Sequence, residues 1–461
     1  MSGDGVAGKA GIGVSMNEKS GGGTTQPRQA GQPAASAGKR ILPGATIGIL
    51  GGGQLGRMMA LAGSHLGYRF VTLDPTPDSP CGQVASRQLT AAYNDVEAAC
   101  TLAELSDVIT YEFENVDARV TELLERECYV PQGSGLLYVT QHRLREKRAI
   151  EAAGVKVAPY EEIVSASQLR EAAARLGLPC VLKTATGGYD GKGQRVIRAE
   201  DELEAAYEAL GRGKVELVLE KWITFERELS VIAARSPSGE VRTFPAAENV
   251  HVDNILHLSI VPARVPQDVI ARAEELARRI AEALGVVGLV AVEMFVTAGG
   301  ELFVNELAPR PHNSGHYTME ACVTSQFEQH VRAICDLPLG PTTLRTPVVM
   351  VNVLGEHVEP LLSWLASAEP EGFGACGGAA CGAARTADAA SAAVAGNAAE
   401  GSRRDAAGNG IGGVTVKLHL YGKHEAKDKR KMGHINLLTD DVEKALAWVE
   451  RTGIWREQKR E

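Results

Sequence analysis

Two apolar runs that each carry a glutamate constrain this chain more than any other feature. VAVEMFV (290–296) and ELFVNELAPRPHNSGH (301–316) are separated by TAGG, a hairpin signal between strand-like segments. With Val296 opposite Glu301, Glu293 faces Val304 across the ladder and Glu306 falls two residues further along the same face. The two carboxylates then become diagonal neighbours among apolar side chains. Like charges across a ladder repel, and burying them without a counterion costs on the order of several kcal/mol. A divalent cation removes the conflict. Magnesium takes hard oxygen ligands, usually one or two protein carboxylates together with phosphate oxygens, and Asn305 beside Glu306 adds an amide oxygen. The alternative, an exposed acidic hairpin, fits poorly with such apolar flanks.

A second segment supplies a place for the phosphates. In KTATGGYDGKGQRV (183–196), Gly187, Gly188, Gly191 and Gly193 lie between two strand-like runs, a composition suited to a flap whose backbone approaches a ligand closely. Lys183 on the preceding strand reaches phosphate oxygens as a point charge. LVLEKWITFERELSV (217–231) places Glu220 at the end of an apolar run and Glu228 beyond it. Beside a nucleotide, main-chain groups there read an adenine edge and a carboxylate accepts ribose hydroxyls. Arg310 and His312 follow the second glutamate run, and YGKHEAKDKRKMGH (421–434) gathers Lys423, Lys427, Lys429, Arg430, Lys431 and His434. In a chain of formal net charge -9, such a basic loop reads as a local phosphate clamp rather than a nucleic-acid surface.

The N-terminal pattern is of another kind. TIGIL (46–50) reads as a buried strand, QLGRMMALAGSHLG as a helix and RFVTLD (69–74) as a second strand, a βαβ start that implies a parallel sheet. Gly51, Gly53 and Gly56 stand at the strand-to-helix turn with Asp74 ending the next strand, which fits the dinucleotide fingerprint. Alone, this supports an NAD-dependent oxidoreductase. The same turn serves any anion, because what it offers is backbone N–H groups and a positive dipole end.

Residues 1–42 are rich in Gly, Ala, Ser and Gln, without apolar periodicity, and read as a disordered tail. Asp4, Glu18 and sparse Arg argue against a transit peptide, so the expected location is the cytoplasm, or a plastid if the tail does act as one. The Ala/Gly-rich stretch 366–413 reads as a flexible insertion between VVMVNVLG (348–355) and VTVKLHLYGK (414–423), two strands of one small sheet. A domain boundary falls near Leu136–Thr140. No long uninterrupted apolar run or secretory leader is visible, and the 8 cysteines lack the paired spacings of a zinc site or disulfide framework.

With these residues in view, TYEFENV (110–116), KTATGGYDGKGQ, EKWITFERELS, MFV through NELAPRPHNSGHYTMEAC, and RKMGHINLL resemble the ATP-grasp enzymes that make 5-(carboxyamino)imidazole ribonucleotide. The resemblance runs from about residue 45 to 440, broken by the Ala/Gly stretch. It implies an α/β and α+β chain: a Rossmann-like (pre-ATP-grasp) domain at 43–138, a central ATP-grasp domain at 139–345, and a small C-terminal sheet domain at 346–445, then a helix or tail at 446–461. ATP and Mg2+ are the implied cofactors. Arg143, Lys183 and the loop Gly188, Tyr189, Asp190, Gly191, Lys192, Gly193 and Gln194 match positions at the phosphates. Glu220, Lys221, Trp222 and Ile223 match the adenine segment, Glu228 the ribose ligand, and His251, Asn305 and Glu306 further nucleotide contacts. Glu293 and Glu306 match the magnesium ligands. Arg310 and His312 match positions near bicarbonate and carboxyphosphate, and Tyr189 and Asp190 positions at the imidazole ring, where Asp190 accepts a proton. Lys423 and Arg430, with Lys431 beside them, match a clamp on the ribonucleotide phosphate. The implied catalytic set is therefore Asp190, Arg310, His312 and Lys423. By analogy with a formate-using relative, Gln54, Leu55, Glu112 and Asn313 also line the substrate site. The implied substrates are aminoimidazole ribonucleotide and bicarbonate, with a homodimer as the expected assembly and a carboxyl mutase as the functional partner. The insertion, and HEAKDKRK in place of a shorter turn, depart from the pattern around the clamp. A formate-dependent glycinamide ribonucleotide formyltransferase, a biotin carboxylase and a non-catalytic nucleotide sensor are the alternatives within this fold. Against the sensor stand Lys183, Glu293, Glu306, Arg310 and Lys423, all present.

Overall fold

The computed structural model describes residues 39–188, 192–211, 214–367, 400–401 and 413–455, all within one compact unit, Ala37–Glu461. The first sheet comprises β1 (Thr46–Leu50), β2 (Arg69–Leu73), β3 (Arg87–Leu89) and β4 (Val108–Tyr111), all parallel in the order β3-β2-β1-β4. TIGIL and VITY are largely apolar and almost wholly buried, as strands of a parallel sheet covered on both faces are. The stretch read as a tail ends before residue 42. Ile41 is buried, and its N–H donates to the Cys335 carbonyl at 3.0 Å.

A second, antiparallel sheet holds β5 (Tyr160–Ile163), β6 (Cys180–Thr184), β7 (Gln194–Ile197) and β8 (Leu217–Lys221) in the order β5-β8-β6-β7. The glycine flap is therefore the connection of the β6–β7 hairpin, as its composition predicts. The third sheet contains β9 (Arg227–Arg235), β10 (Val241–Thr243), β11 (Ala247–Val252), β12 (Ile255–Val261), β13 (Gly288–Val296), β14 (Leu302–Ala308), β15 (Val348–Leu354), β16 (Glu400–Gly401), β17 (Val414–Leu420) and β18 (Lys431–Thr439). Its order is β14-β13-β9-β11-β12-β15-β18-β17-β16, with β10 on β9. The helix Gln267–Ala283 buries Val269, Ala273, Ala277 and Ile280 against this sheet, three and four residues apart on one stripe.

This topology corrects the expectation of a small separate C-terminal sheet. The 348–354 and 414–420 strands do not pair with each other. β18 lies between them, and β15 pairs with β12, so the C-terminal strands continue the central sheet. Most of the 366–413 insertion lies outside the described residues. The helix Val442–Thr452 packs Ala445, Trp448 and Val449 onto β15 and β18. Among the described residues, no helix is long and apolar enough to cross a membrane.

Candidate active site

Glu293 and Glu306 meet by a different route from the one the hairpin spacing predicts. Val296 pairs with Leu302 rather than Glu301, and Met294 pairs with Val304. The register then shifts between Glu293 and Met294, so that Glu293 stands directly opposite Glu306, with Asn305 as the extra residue. Strict alternation would put Glu306 on the face of Leu302 and Val304, which lie in the apolar core. The bulge turns it to the other face. The carboxylates are thus direct cross-strand neighbours rather than diagonal ones, and both line a cavity of about 410 Å³ between the second and third sheets. Burial and the Glu306 charge push the Glu293 pKa up to about 8. Two basic side chains lie close to the pair, His312 Nε2 at 3.3 Å from Glu293 and Arg143 Nη1 at 3.6 Å from Glu306, while the charges of His251 and Lys431 also act on Glu293. Burial, helped by Arg310 and Lys431, holds the His312 pKa well down, so its imidazole is neutral. Two opposed hard oxygen donors beside an amide, short of compensating charge, fit a magnesium ion.

The same cavity gathers most of the residues expected at the nucleotide and several expected at the other substrates. Arg143, Lys183, Gly188, Lys192, Gln194, Glu220, Lys221, Trp222, Ile223, Glu228, His251, Asn305, Arg310, His312, Asn313 and Lys431 all line it. Gly193, at φ +70, is packed against the Thr184 hydroxyl at the flap's base, where a Cβ has no room. Tyr189, Asp190 and Gly191 lie outside the described residues. Arg143 begins a helix, and its N–H donates to the Ala185 carbonyl at 2.9 Å, tying that helix to the flap's root. His251 Nδ1 stands 3.0 Å from Glu228 Oε2. Burial opposes its charge, yet Glu228, Glu293 and Glu306 together outweigh burial and raise its pKa. The Glu220 side chain turns away from solvent to two lysines, and the N–H groups of Lys221 and Trp222 donate to the carbonyls of Pro159 and Pro179.

The basic residues expected to clamp a phosphate adjoin this cavity through Lys431. Lys423 Nζ donates to the Lys431 carbonyl at 2.7 Å, and burial together with Arg430 lowers its pKa to about 8. Arg430 donates to the Glu425 carbonyl at 2.9 Å. Lys423, Arg430, Gln54, Leu55 and Glu112 do not line the cavity itself. Gln54 is half-buried at the start of its helix, whereas the Leu55 side chain is part of the apolar core.

Glu112 explains the N-terminal glycines. Its carboxylate accepts from the N–H groups of Gly53 and Gly56, the latter at 2.6 Å, and Asp74 accepts from Gly52 at 2.8 Å. A Cβ at Gly51 or Gly53 would collide with the Glu112 side chain. The helix N-terminus that would hold a pyrophosphate therefore holds an internal carboxylate, which removes the basis of the dinucleotide reading.

Two further residues line the site and a third lies behind it. Glu114 forms a two-pronged ion pair with Arg310, through Nε and, at 3.1 Å, through Nη2. Glu146 accepts from the Leu307 N–H at 2.8 Å beside Glu306, and Lys147 lies behind Glu220. Helical spacing from Arg143 puts Glu146 and Lys147 on its face, and Glu114 stands two residues after Glu112.

Comparison with known proteins shows the family. A ribonucleotide synthetase pre-ATP-grasp domain matches residues 44–141, an ATP-grasp domain 148–327, and a phosphoribosylaminoimidazole carboxylase C-terminal domain 408–447. N5-carboxyaminoimidazole ribonucleotide synthase of Bacillus subtilis is 48% identical over 418 residues, 90% of this chain and 98% of that protein. A solved ADP complex of an N5-carboxyaminoimidazole ribonucleotide synthetase is 51% identical, covers 92% of this chain and 100% of its own, and superposes with TM-score 0.79. The Aspergillus clavatus enzyme in complex with ADP and 5-aminoimidazole ribonucleotide is 29% identical, with 88% and 97% coverage and TM-score 0.73. The chain belongs to the N5-carboxyaminoimidazole ribonucleotide synthase family.

Proposed function

We propose that this protein is an ATP-dependent carbon–nitrogen ligase. It joins bicarbonate to the amine of 5-aminoimidazole ribonucleotide through carboxyphosphate, giving N5-carboxyaminoimidazole ribonucleotide, ADP and phosphate in purine synthesis. The observation that carries the reading is the direct opposition of Glu293 and Glu306 in the cavity that also holds Arg143, Lys183 and the flap residues Gly187 and Gly188.

Bicarbonate is a poor electrophile until a phosphoryl group gives one of its oxygens a leaving group. Its oxygen attacks the γ-phosphorus and ADP departs. The amine then attacks the carboxyl carbon, phosphate leaves, and the amine loses a proton. The protein's contribution is positioning and charge neutralisation rather than a covalent intermediate. Glu293, Glu306 and Asn305 would hold a magnesium ion, which would supply neutralisation of the nucleotide's phosphate charge when bound. Lys183, Arg143 and the flap carry the rest of the phosphate charge, and Glu228 with His251 takes the ribose. Arg310, kept in plane by Glu114, faces bicarbonate, with neutral His312 as hydrogen-bond partner. Asp190 receives the amine's proton, Lys423, Arg430 and Lys431 grip the ribonucleotide phosphate, and Tyr189, Gln54, Glu112 and Asn313 serve the same substrate. The assembly is a homodimer in the cytoplasm, and the enzyme that next moves the carboxyl from nitrogen to carbon is its functional partner. Light scattering reads the first directly.

The test is phosphate release from ATP with each combination of aminoimidazole ribonucleotide, bicarbonate and formate. The reading requires turnover that depends on the amine and bicarbonate together. Turnover supported by formate, or indifferent to the amine, overturns it.

A further inference from the structure

Behind Lys183 lies an arrangement that its own contact with phosphate does not explain. Glu220 is 4% exposed, and its two oxygens are divided between two lysines. Oε2 accepts from Lys183 Nζ at 2.9 Å, while Oε1 stands 3.3 Å from Lys147 Nζ. Lys147 comes from the helix Arg143–Ala152, is 1% exposed, and makes no hydrogen bond among the described residues. The Tyr160 ring lies 5.7 Å from its ammonium. Burying a second ammonium so completely is costly, and an apolar side chain could fill the same space. Lys147 does not line the cavity, so it is not placed to touch a ligand.

The charges supply a reason. A lone Lys183–Glu220 pair is neutral, and its attraction for an anion largely cancels. Two ammonium groups around one carboxylate leave a net positive charge, and of the two only Lys183 reaches the cavity wall. We propose that Lys147 is a positioning residue that neutralises Glu220 from behind, so that Lys183 presents an uncompensated positive charge to the phosphates of a nucleotide. The proposal rests on reading the cavity as the nucleotide site. Burial alone would raise the Glu220 pKa, but Lys183, Lys147 and Arg143 together bring it down to about 2, consistent with a carboxylate shared between cations.

The test is isothermal titration of ATP and ADP into the wild-type chain and into Lys147→Met, Lys147→Arg, Glu220→Gln and the double variant Lys147→Met/Glu220→Gln, each with a melting curve. Lys147→Met is expected to weaken nucleotide binding about tenfold, the scale of one partly screened charge. In turnover the same variant raises KM for ATP and leaves KM for the ribonucleotide unchanged. Lys147→Arg restores binding. The double variant binds more tightly than Lys147→Met, because losing Glu220 releases Lys183, an ordering that a purely structural Lys147 would not produce. Equal binding by wild type and Lys147→Met overturns the proposal, as does a double variant no better than Lys147→Met. If Lys147→Met does not fold, the double variant is compared with Glu220→Gln: equal affinity supports the proposal, and a further loss overturns it. A wild-type chain that binds neither nucleotide would instead defeat the reading of the cavity.

Discussion

A carboxyl group buried beside a second carboxylate must find a cation or take up a proton, and that choice was visible at Glu293 and Glu306 before any fold was known. Glu306→Ala is expected to lower ATP turnover at least about 100-fold, the scale of losing a preorganised charge at a transferring phosphoryl group, with the chain still folded. Steady-state phosphate release and far-ultraviolet circular dichroism check both halves. Lys423 carries a different prediction. Its pKa is lowered to about 8 by burial and by Arg430, so its charge is present below that pH and lost above it. KM for the ribonucleotide should therefore rise as pH passes from about 7.5 to 9, and Lys423→Ala should raise it at every pH while removing this dependence. Residues such as Lys183 and His312 were legible because each stands in a distinctive string. Lys147, Glu146 and Glu114 were not, because a lone charge on a helix or after a strand looks the same whether it faces solvent or a buried partner.

At the scale of elements, the β13–β14 hairpin was legible and its register was not. Alternation and the TAGG turn located both strands, but the bulge at Asn305 leaves no compositional mark, and it alone sets which face Glu306 occupies. The glycine turn before the helix Gln54–His65 was found for the wrong reason. Its N–H groups serve Glu112, a carboxylate 56 to 59 residues away in sequence, and no local pattern announces that. Glu112→Ala should cost about 1–3 kcal/mol in urea unfolding, because it strands two helix N-terminal donors. Gly51→Ala should cost at least as much, since Gly51 has φ +119 and no room for a Cβ beside Glu112. Neither substitution should create nicotinamide binding.

Across the whole molecule, the order of elements could be read from alternating patterns, but the continuation of the central sheet through β12 and β15 could not. Strand partners separated by most of a hundred residues depend on packing, not on local sequence. Buried histidines also link the parts. His330 Nε2 lies 2.8 Å from the Thr110 hydroxyl on β4, and burial lowers the pKa values of His330 and His316 to about 3. The unfolded chain binds these protons near pH 6.5 and the folded chain does not, so stability present above that pH is lost as pH falls towards 3. Each histidine contributes a slope of up to about 1.4 kcal/mol per pH unit. Urea unfolding between pH 7 and 4.5 should show this decline, and His330→Gln should flatten it while lowering stability at pH 7. The central claim is that bicarbonate is phosphorylated by ATP before the amine is carboxylated, and oxygen isotopes test it most directly. With 18O-labelled bicarbonate, ATP and 5-aminoimidazole ribonucleotide, the account predicts one labelled oxygen in each phosphate released. Carboxylated ribonucleotide formed alongside unlabelled phosphate would contradict it.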